Sequence, residues 1–221
     1  DQLEALSIAD DTLVIFTADH GLSLGHHGFW GHGAACWPSN MHQATHSIPM
    51  ITWQPGTIKA NQTSDLLVAN TDLYSTLLEY TGADISCLPA DIASRSFASL
   101  LETNKLSGWG ANEVFSEQEE TRVLRTLQWT YFKRFSGSQK YTLHDELYDA
   151  INDPDERDNL AQLPEHADLV KQLATKVDLF FSSKAAPNAD LWQGGKPLQN
   201  TQTPWLWRDA WGKDWKPVYK Y

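Results

Sequence analysis

An aspartate and a histidine stand side by side, Asp19-His20, at the end of a short β-branched and apolar run, Thr12-Leu13-Val14-Ile15-Phe16-Thr17. A carboxylate and an imidazole are both potential ligands for a divalent cation. The same pair can also be structural, the aspartate accepting backbone N–H bonds beside a packed histidine. Six of the eight histidines fall between positions 20 and 46: His20, His26, His27, His32, His42 and His46. The stretch Gly25-His26-His27-Gly28-Phe29-Trp30-Gly31-His32-Gly33 interleaves glycine with histidine, which lets backbone approach an anion closely while imidazoles supply donors. For any single histidine, a solvated loop position is the simpler reading. As a group beside Asp19 they point to the rim of an active site.

The surrounding pattern supplies the elements that must hold these residues. The run at 12–17 is apolar on both faces at its centre, which predicts a strand buried on both sides in a parallel α/β sheet. Ligand sites in such sheets lie outside the carboxyl ends of strands, where Asp19 and His20 fall. A long loop over 21–47 follows, and loops of that length in compact domains are usually functional. Ile48-Pro49-Met50-Ile51-Thr52-Trp53 reads as a second strand, closed by Gln54-Pro55-Gly56. Asn70 or Thr71 is placed to cap a helix with an apolar stripe at Leu73, Leu77 and Leu78 and a stop at Gly82. After about residue 108, short strands are expected at 113–116, 121–126, 129–135 and 146–149, spaced as in an antiparallel meander. A helix follows from about Pro164, with Leu169, Leu173, Val177 and Phe180 on one stripe. The organisation expected is therefore a part of an α/β domain over 1–108, a small antiparallel-sheet-plus-helix subdomain over 109–183, and a Trp-rich tail over 184–221.

Composition sets outer limits. The 221 residues suffice for a real core, and 41% hydrophobic with 20% charged residues is ordinary for a globular protein. A formal charge of −11 argues against nucleic-acid binding, which needs clustered Lys and Arg. It leaves an anionic substrate open, because a bound cation inverts the field locally. No run approaches the roughly eighteen apolar residues of a membrane span, and residues 1–6 do not read as a signal peptide. Cys36 and Cys87 are too few to define a disulfide framework.

The residues 12–33, TLVIFTADHGLSLGHHGFWGHG, closely resemble the segment of the sulfatases in which a strand ends in Asp-His/Asn-Gly and leads into a G-x-H-G-x-W-G-K-G loop. The resemblance continues through Ile48-Pro49-Met50-Ile51, Pro55-Gly56, the helix at 70–82, Arg122–Thr126 and Tyr131-Phe132-Lys133. It ends at Glu146-Leu147-Tyr148-Asp149 and Asn152–Ala161, similar to the family's ELYDLxNDPxExxNLA signature. In all it covers residues 8–182, in the right order. It implies the formylglycine-dependent sulfatases of the alkaline phosphatase superfamily, and the C-terminal half of one. The fold expected is part of an alkaline phosphatase-like α/β sheet flanked by helices, plus the small C-terminal α+β subdomain.

By that resemblance, Asp19 and His20 match two metal ligands, for Ca2+ with Zn2+ as the alternative. His27 matches the His of G-x-H-G and is assigned to substrate binding. His32 stands where many members carry a Lys that contacts the sulfate, and it is assigned to substrate binding and to catalysis. Lysine is a permanent cation at neutral pH whereas imidazole is not, so this departure touches the role itself. The family's Y-E-E-x-x-R-V-P stretch appears as His42-Gln43-Ala44-Thr45-His46-Ser47-Ile48-Pro49, with its charge pattern lost. The function implied is hydrolysis of a sulfate ester, on a sulfated carbohydrate. The partners are that substrate and an N-terminal half carrying the formylglycine nucleophile and the other ligands. The location implied is secreted or periplasmic, lysosomal in an animal.

Three features compete with that reading. Cys36-Trp37-Pro38-Ser39-Asn40 imitates the C-x-P-S-R nucleophile signature, but it lacks the final Arg and follows the Asp-His-Gly strand instead of preceding it. The acidic run Asp149–Asp158 lacks the spacing of a calcium loop and reads as a solvated turn. The tail residues Trp192, Trp205, Trp207, Trp211 and Trp215 suit either a glycan groove or packing. The alternatives in function are a zinc phosphodiesterase or phosphonate hydrolase of the same superfamily, and a non-catalytic glycan-binding fragment.

Overall fold

The computed structural model describes residues 2–32, 38–106, 108–118, 120–135, 143–184 and 190. The chain divides into two compact units, Asp1–Val177 and Asp178–Tyr221. The candidate site lies in the first. In the second, residues 178–184 are helical, and the Ser182 and Ser183 hydroxyls donate back to the carbonyls of Leu179 and Phe180. The five tail tryptophans named above lie outside the described residues.

The first unit opens with α1 (Gln2–Ala5) and β1 (Val14–Thr17). A hairpin of β2 (Ser23–Leu24) and β3 (Trp30–Gly31) follows, then α2 (Gln43–His46) and β4 (Met50–Trp53). Helices α3 (Asp72–Tyr80) and α4 (Ala98–Thr103) come next. The four strands β5 (Glu113–Gln118), β6 (Thr121–Thr126), β7 (Trp129–Arg134) and β8 (Glu146–Asp149) precede α5, which starts at Ala167 and ends at Lys184.

Strands β5 to β8 form the antiparallel meander that the spacing of the short strand candidates predicts, in sequential order. Both faces of its central part are covered: Val123, Phe132 and Tyr148 on one side and Leu124, Tyr131 and Leu147 on the other are all buried. The β6–β7 turn is held by the Thr126 hydroxyl, which accepts the Trp129 N–H at 2.8 Å. Pro164 opens a single 3₁₀ turn and α5 follows it, burying Leu173 and Val177 as the stripe predicts.

One face of the sheet is covered by residues 39–42. Glu120, buried, accepts the Ser39 N–H at 2.6 Å and the Ser39 hydroxyl at 3.1 Å. Arg134 donates to the Ser39 carbonyl at 2.8 Å and pairs with Glu146 at 2.6 Å. Met41 joins Val123, Phe132 and Tyr148 in the core. Charges buried this well are paired, because an unpaired one costs several kcal/mol, on the order of 3–5. The histidine loop is thus fastened to the meander by its own middle. Ser39 and Asn40, two letters of the apparent nucleophile signature, are buried and structurally bonded, Asn40 to the Ser23 hydroxyl at 3.1 Å. Cys36 and Trp37 lie outside the described residues.

Two local expectations fail. Strand β1 pairs antiparallel with β4 (Val14 with Trp53, Phe16 with Ile51), so the run is not a parallel strand within this chain. One face of the pair carries Val14, Phe16, Ile51 and Trp53, all exposed, Phe16 at 61%. The apolar run does mark a strand, but the two-stranded sheet brings no layer to cover that face. In α3 the buried residues are Asp72, Ser75 and Thr76, whereas Leu77 on the expected apolar stripe is exposed. The polar face is drawn in by residues 94–97. Asp72 accepts the N–H groups of Ala69 at 2.9 Å and Arg95 at 2.8 Å, and Thr76 accepts that of Phe97 at 3.1 Å.

Candidate active site

The carboxyl end of β1 is where Asp19 and His20 meet the start of the loop. Its backbone is pinned from two sides. Asn70 donates its side-chain amide to the carbonyls of Ala18 at 3.0 Å and Asp19 at 3.2 Å. It does this in place of capping α3, whose first residues have no side-chain cap. Gly21 donates its N–H to the Thr45 carbonyl at 2.8 Å, which docks α2 against the strand end. A Cβ on Gly21 would lie 2.5 Å from the Ala44 oxygen and 3.0 Å from that of Ser47, both backbone atoms. Only glycine permits this approach.

The Asp19 side chain, in contrast, is 88% exposed. One of its oxygens accepts the His20 N–H at 3.0 Å, and the other lies 3.8 Å from His20 Nε2. His20 Nδ1 is 2.7 Å from the Gly21 carbonyl oxygen. A carbonyl only accepts, so Nδ1 carries the proton and the lone pair of a neutral ring sits on Nε2. His32 reaches the same place from the end of β3, its ring centroid 4.6 Å from that of His20. The structure therefore brings together Asp19, His20 and His32.

His27 joins a second group. It sits at the tip of the β2–β3 hairpin with φ +53° and stacks on His42 with centroids 3.6 Å apart and planes within 4°. Its Nε2 donates to the Asp155 carbonyl at 2.8 Å. His42 is buried against Phe132 and Tyr148, and its Nδ1 donates to Glu156 at 3.0 Å. Glu156 also accepts the Gln43 N–H at 2.8 Å and a bond from Arg125, whose other nitrogen donates to the Met41 carbonyl at 2.5 Å. Burial pushes the Glu156 carboxyl up, but His42, Arg125 and the Gln43 N–H outweigh it and hold the group down to about 2. His46 stands between the two groups. Burial and then Arg125 lower its pKa, opposed by the Asn40 carbonyl and Glu156, with a small downward push from His20.

Glu156, Arg125 and Asn70 are the residues that motif reading passed over as site components. The acidic run is only in part a solvated turn. Asp153 does cap the backbone of Arg157 and Asp158 at the surface, but Glu156 is 1% exposed with φ +55°. Its positive φ shows only in the folded chain, and the residue types of the run do not set Glu156 apart from its neighbours.

Among the described residues, no group of three or more His, Cys, Asp or Glu is arranged to hold a metal ion, and Asp19 and His20 offer two donor side chains, fewer than a complete site needs. They fit as part of one. The His20 ring offers Nε2 with its other nitrogen bonded to a carbonyl, as metal-bound histidines do, and the Asp19 carboxylate is exposed beside it. No described helix is long and apolar enough to cross a membrane.

The profile of the family described as N-sulphoglucosamine sulphohydrolase, C-terminal, matches residues 27–181. Among characterised proteins, the chain is 32% identical over 171 residues to arylsulfatase K of Canis lupus familiaris, covering 72% of this chain and 29% of that protein. It is 26% identical over 181 residues to the N-acetylglucosamine-6-O-sulfatase of Bacteroides thetaiotaomicron, covering 77% and 30%. A structure solved in complex with its substrate D-glucosamine-2-N,6-O-disulfate shares the fold with TM-score 0.70 and 24% identity, covering 82% of this chain and 36% of that one. The chain thus spans about three tenths of the length of the curated relatives it matches. A profile covering more than half of the chain, the shared fold, and a strand-end Asp-His-Gly with its glycine- and histidine-rich hairpin lead to one assignment: the chain belongs to the sulfatase family, as its C-terminal region.

Proposed function

We propose that this chain is the C-terminal part of a sulfuric ester hydrolase that acts on a sulfated carbohydrate, and that it contributes Asp19 and His20 to a divalent cation and His27 and His32 to the substrate side. The observation that carries this reading is the contrast at the end of β1. The backbone there is bonded to Asn70 and to Thr45, while the Asp19 carboxylate it presents is almost fully exposed. A group held this firmly and left this open suits a ligand that other protein completes. The exposed apolar face of β1 and β4, and the chain's share of its relatives' length, support a remaining N-terminal part as that protein.

Calcium is the cation proposed, with zinc as the alternative; when bound it supplies a Lewis acid for charge gathering on the sulfate oxygens. Asp19 and His20 hold it. His32, beside His20, binds a sulfate oxygen or gives a proton to the departing alcohol oxygen. His27 provides a hydrogen-bonding ring at the hairpin tip. The nucleophile, a formylglycine, comes from outside this chain. The name of one relative, an N-acetylglucosamine-6-O-sulfatase, favours a sugar sulfate as substrate. We place the end of the catalytic α/β part near residue 108, with the meander and α5 as a supporting subdomain over 109–183 and a tail beyond it. A secreted, periplasmic or lysosomal site of action accords with this substrate.

Replacing Asp19 by Ala in the intact protein is expected to remove bound metal, read by elemental analysis, and to abolish turnover of an aryl sulfate. A D19A protein that retains both its metal and its turnover refutes the assignment. Parallel assays on sulfate and phosphate esters distinguish this function from phosphoester or phosphonate hydrolysis.

A further inference from the structure

The turn at Asp155–Glu156 is more than 100 residues away from the histidine loop in sequence, yet it holds two of its histidines at once. The Asp155 carbonyl accepts from His27 Nε2 at 2.8 Å, and the next residue's carboxylate accepts from His42 Nδ1 at 3.0 Å. Neither acceptor has a proton to give, since one is a carbonyl and the other a carboxylate paired to Arg125. The two rings therefore carry their protons on opposite nitrogens, His27 on Nε2 and His42 on Nδ1. They lie face to face at 3.6 Å, and His42 is wedged from its other sides by Phe132 and Tyr148. His27 cannot rotate without leaving both its carbonyl and its stacking partner.

Both ends of this clamp are built against the ordinary backbone preference. His27 and Glu156 each sit at positive φ, +53° and +55°, where glycine would be the easy choice. The side chains explain why other residues stand there: each makes the bonds just described. His27 itself is exposed, and among the described residues no bond to its Nδ1 is seen.

We propose that Asp155 and Glu156 are positioning residues for His27, fixing its tautomer and ring plane through the Asp155 carbonyl and the His42 stack so that Nδ1 faces the substrate as a hydrogen-bond acceptor for a sugar hydroxyl. This rests on the placement of His27 at the substrate side proposed above. The role of Glu156 is indirect: it holds His42, Gln43 and Arg125, and it touches no reacting atom.

The test is histidine-selective 15N NMR on the intact protein at a pH where the rings are neutral, combined with steady-state kinetics on a sulfated monosaccharide. The expected spectra show His42 protonated at Nδ1 and His27 at Nε2. Glu156→Gln is expected to mix the tautomers of both rings and to raise KM about tenfold, the equivalent of losing one well-placed hydrogen bond, with a smaller change in kcat. His27→Gln retains an amide for the Asp155 carbonyl but lacks Nδ1, and is expected to raise KM as much while leaving the His42 tautomer intact. His27 protonated at Nδ1 in the wild type, or tautomers unaffected by Glu156→Gln, overturns the clamp. An unchanged KM in His27→Gln overturns the substrate-facing half together with the reading it rests on. The wild-type spectra and His27→Gln decide the matter even if Glu156→Gln fails to fold.

Discussion

Glu156 also makes a prediction about stability that needs no substrate. Its carboxyl falls from an ordinary 4.5 to about 2 in the folded protein. A depressed folded-state pKa means that the unfolded chain binds the proton more readily. The stability it contributes is therefore fully present above about pH 4.5 and is lost as pH falls through about 2. At 1.36 kcal/mol per unit, the difference amounts to about 3 kcal/mol. The group is almost wholly buried, so solvent screening takes little from that figure. Other carboxylates titrate over the same range, so the useful quantity is the difference between wild type and Glu156→Gln. At pH 6 the variant is expected to be less stable by about 3–5 kcal/mol, because Arg125 loses its counter-charge in the interior. Between about pH 5 and pH 2 that deficit should shrink by roughly 3 kcal/mol, as the wild type takes up its proton. Guanidinium unfolding at stepped pH measures both quantities. Parallel pH profiles for the two proteins would refute the argument, since they would mean that Glu156 is no better paired folded than unfolded.

Two further substitutions probe the strand end. Gly21→Ala pushes a Cβ to 2.5 Å from the Ala44 oxygen, so α2 must move or the strand end must tilt. A loss of about 1–3 kcal/mol is expected, seen as a lower Tm, with metal affinity reduced in the same protein; a variant with unchanged Tm removes the close approach from the account. Asn70→Ala frees the carbonyls of Ala18 and Asp19 at an exposed site, so a modest loss of about 1 kcal/mol is expected. Its larger effect should fall on metal affinity, because Asp19 loses the bond that fixes its backbone. Equal metal affinity in Asn70→Ala and wild type would show that the strand end holds its shape unaided.

Much of the architecture could be read from residue order. The four strands of the meander follow from their short β-prone runs and spacing, because those pairings are local and each strand finds its neighbour in sequence. Pro164 and the Leu173–Val177 spacing placed the last helix for the same reason. The strand ending before Asp19 and His20 was legible from residue type, and the structure puts His32 beside His20, whereas the hairpin within the loop was not foreseen.

Pairing over long separation was not legible. The sequence determined that Asp153-Pro154-Asp155 turns the chain, since proline and the Asp side chains act on their own neighbourhood. It could not show that the next residue leaves the turn and enters the core. That depends on Arg125 and His42, and a carboxylate is buried only when distant partners neutralise it and donate hydrogen bonds to it. Nor could an apolar run show whether both faces of β1 would be covered, because periodicity reports how much surface a segment must hide and leaves open which layer hides it. The sequence by itself determined the meander, the last helix and the family. Tertiary structure alone decided which histidines share a site, for ring stacking and buried charge pairing act between segments brought together only by folding.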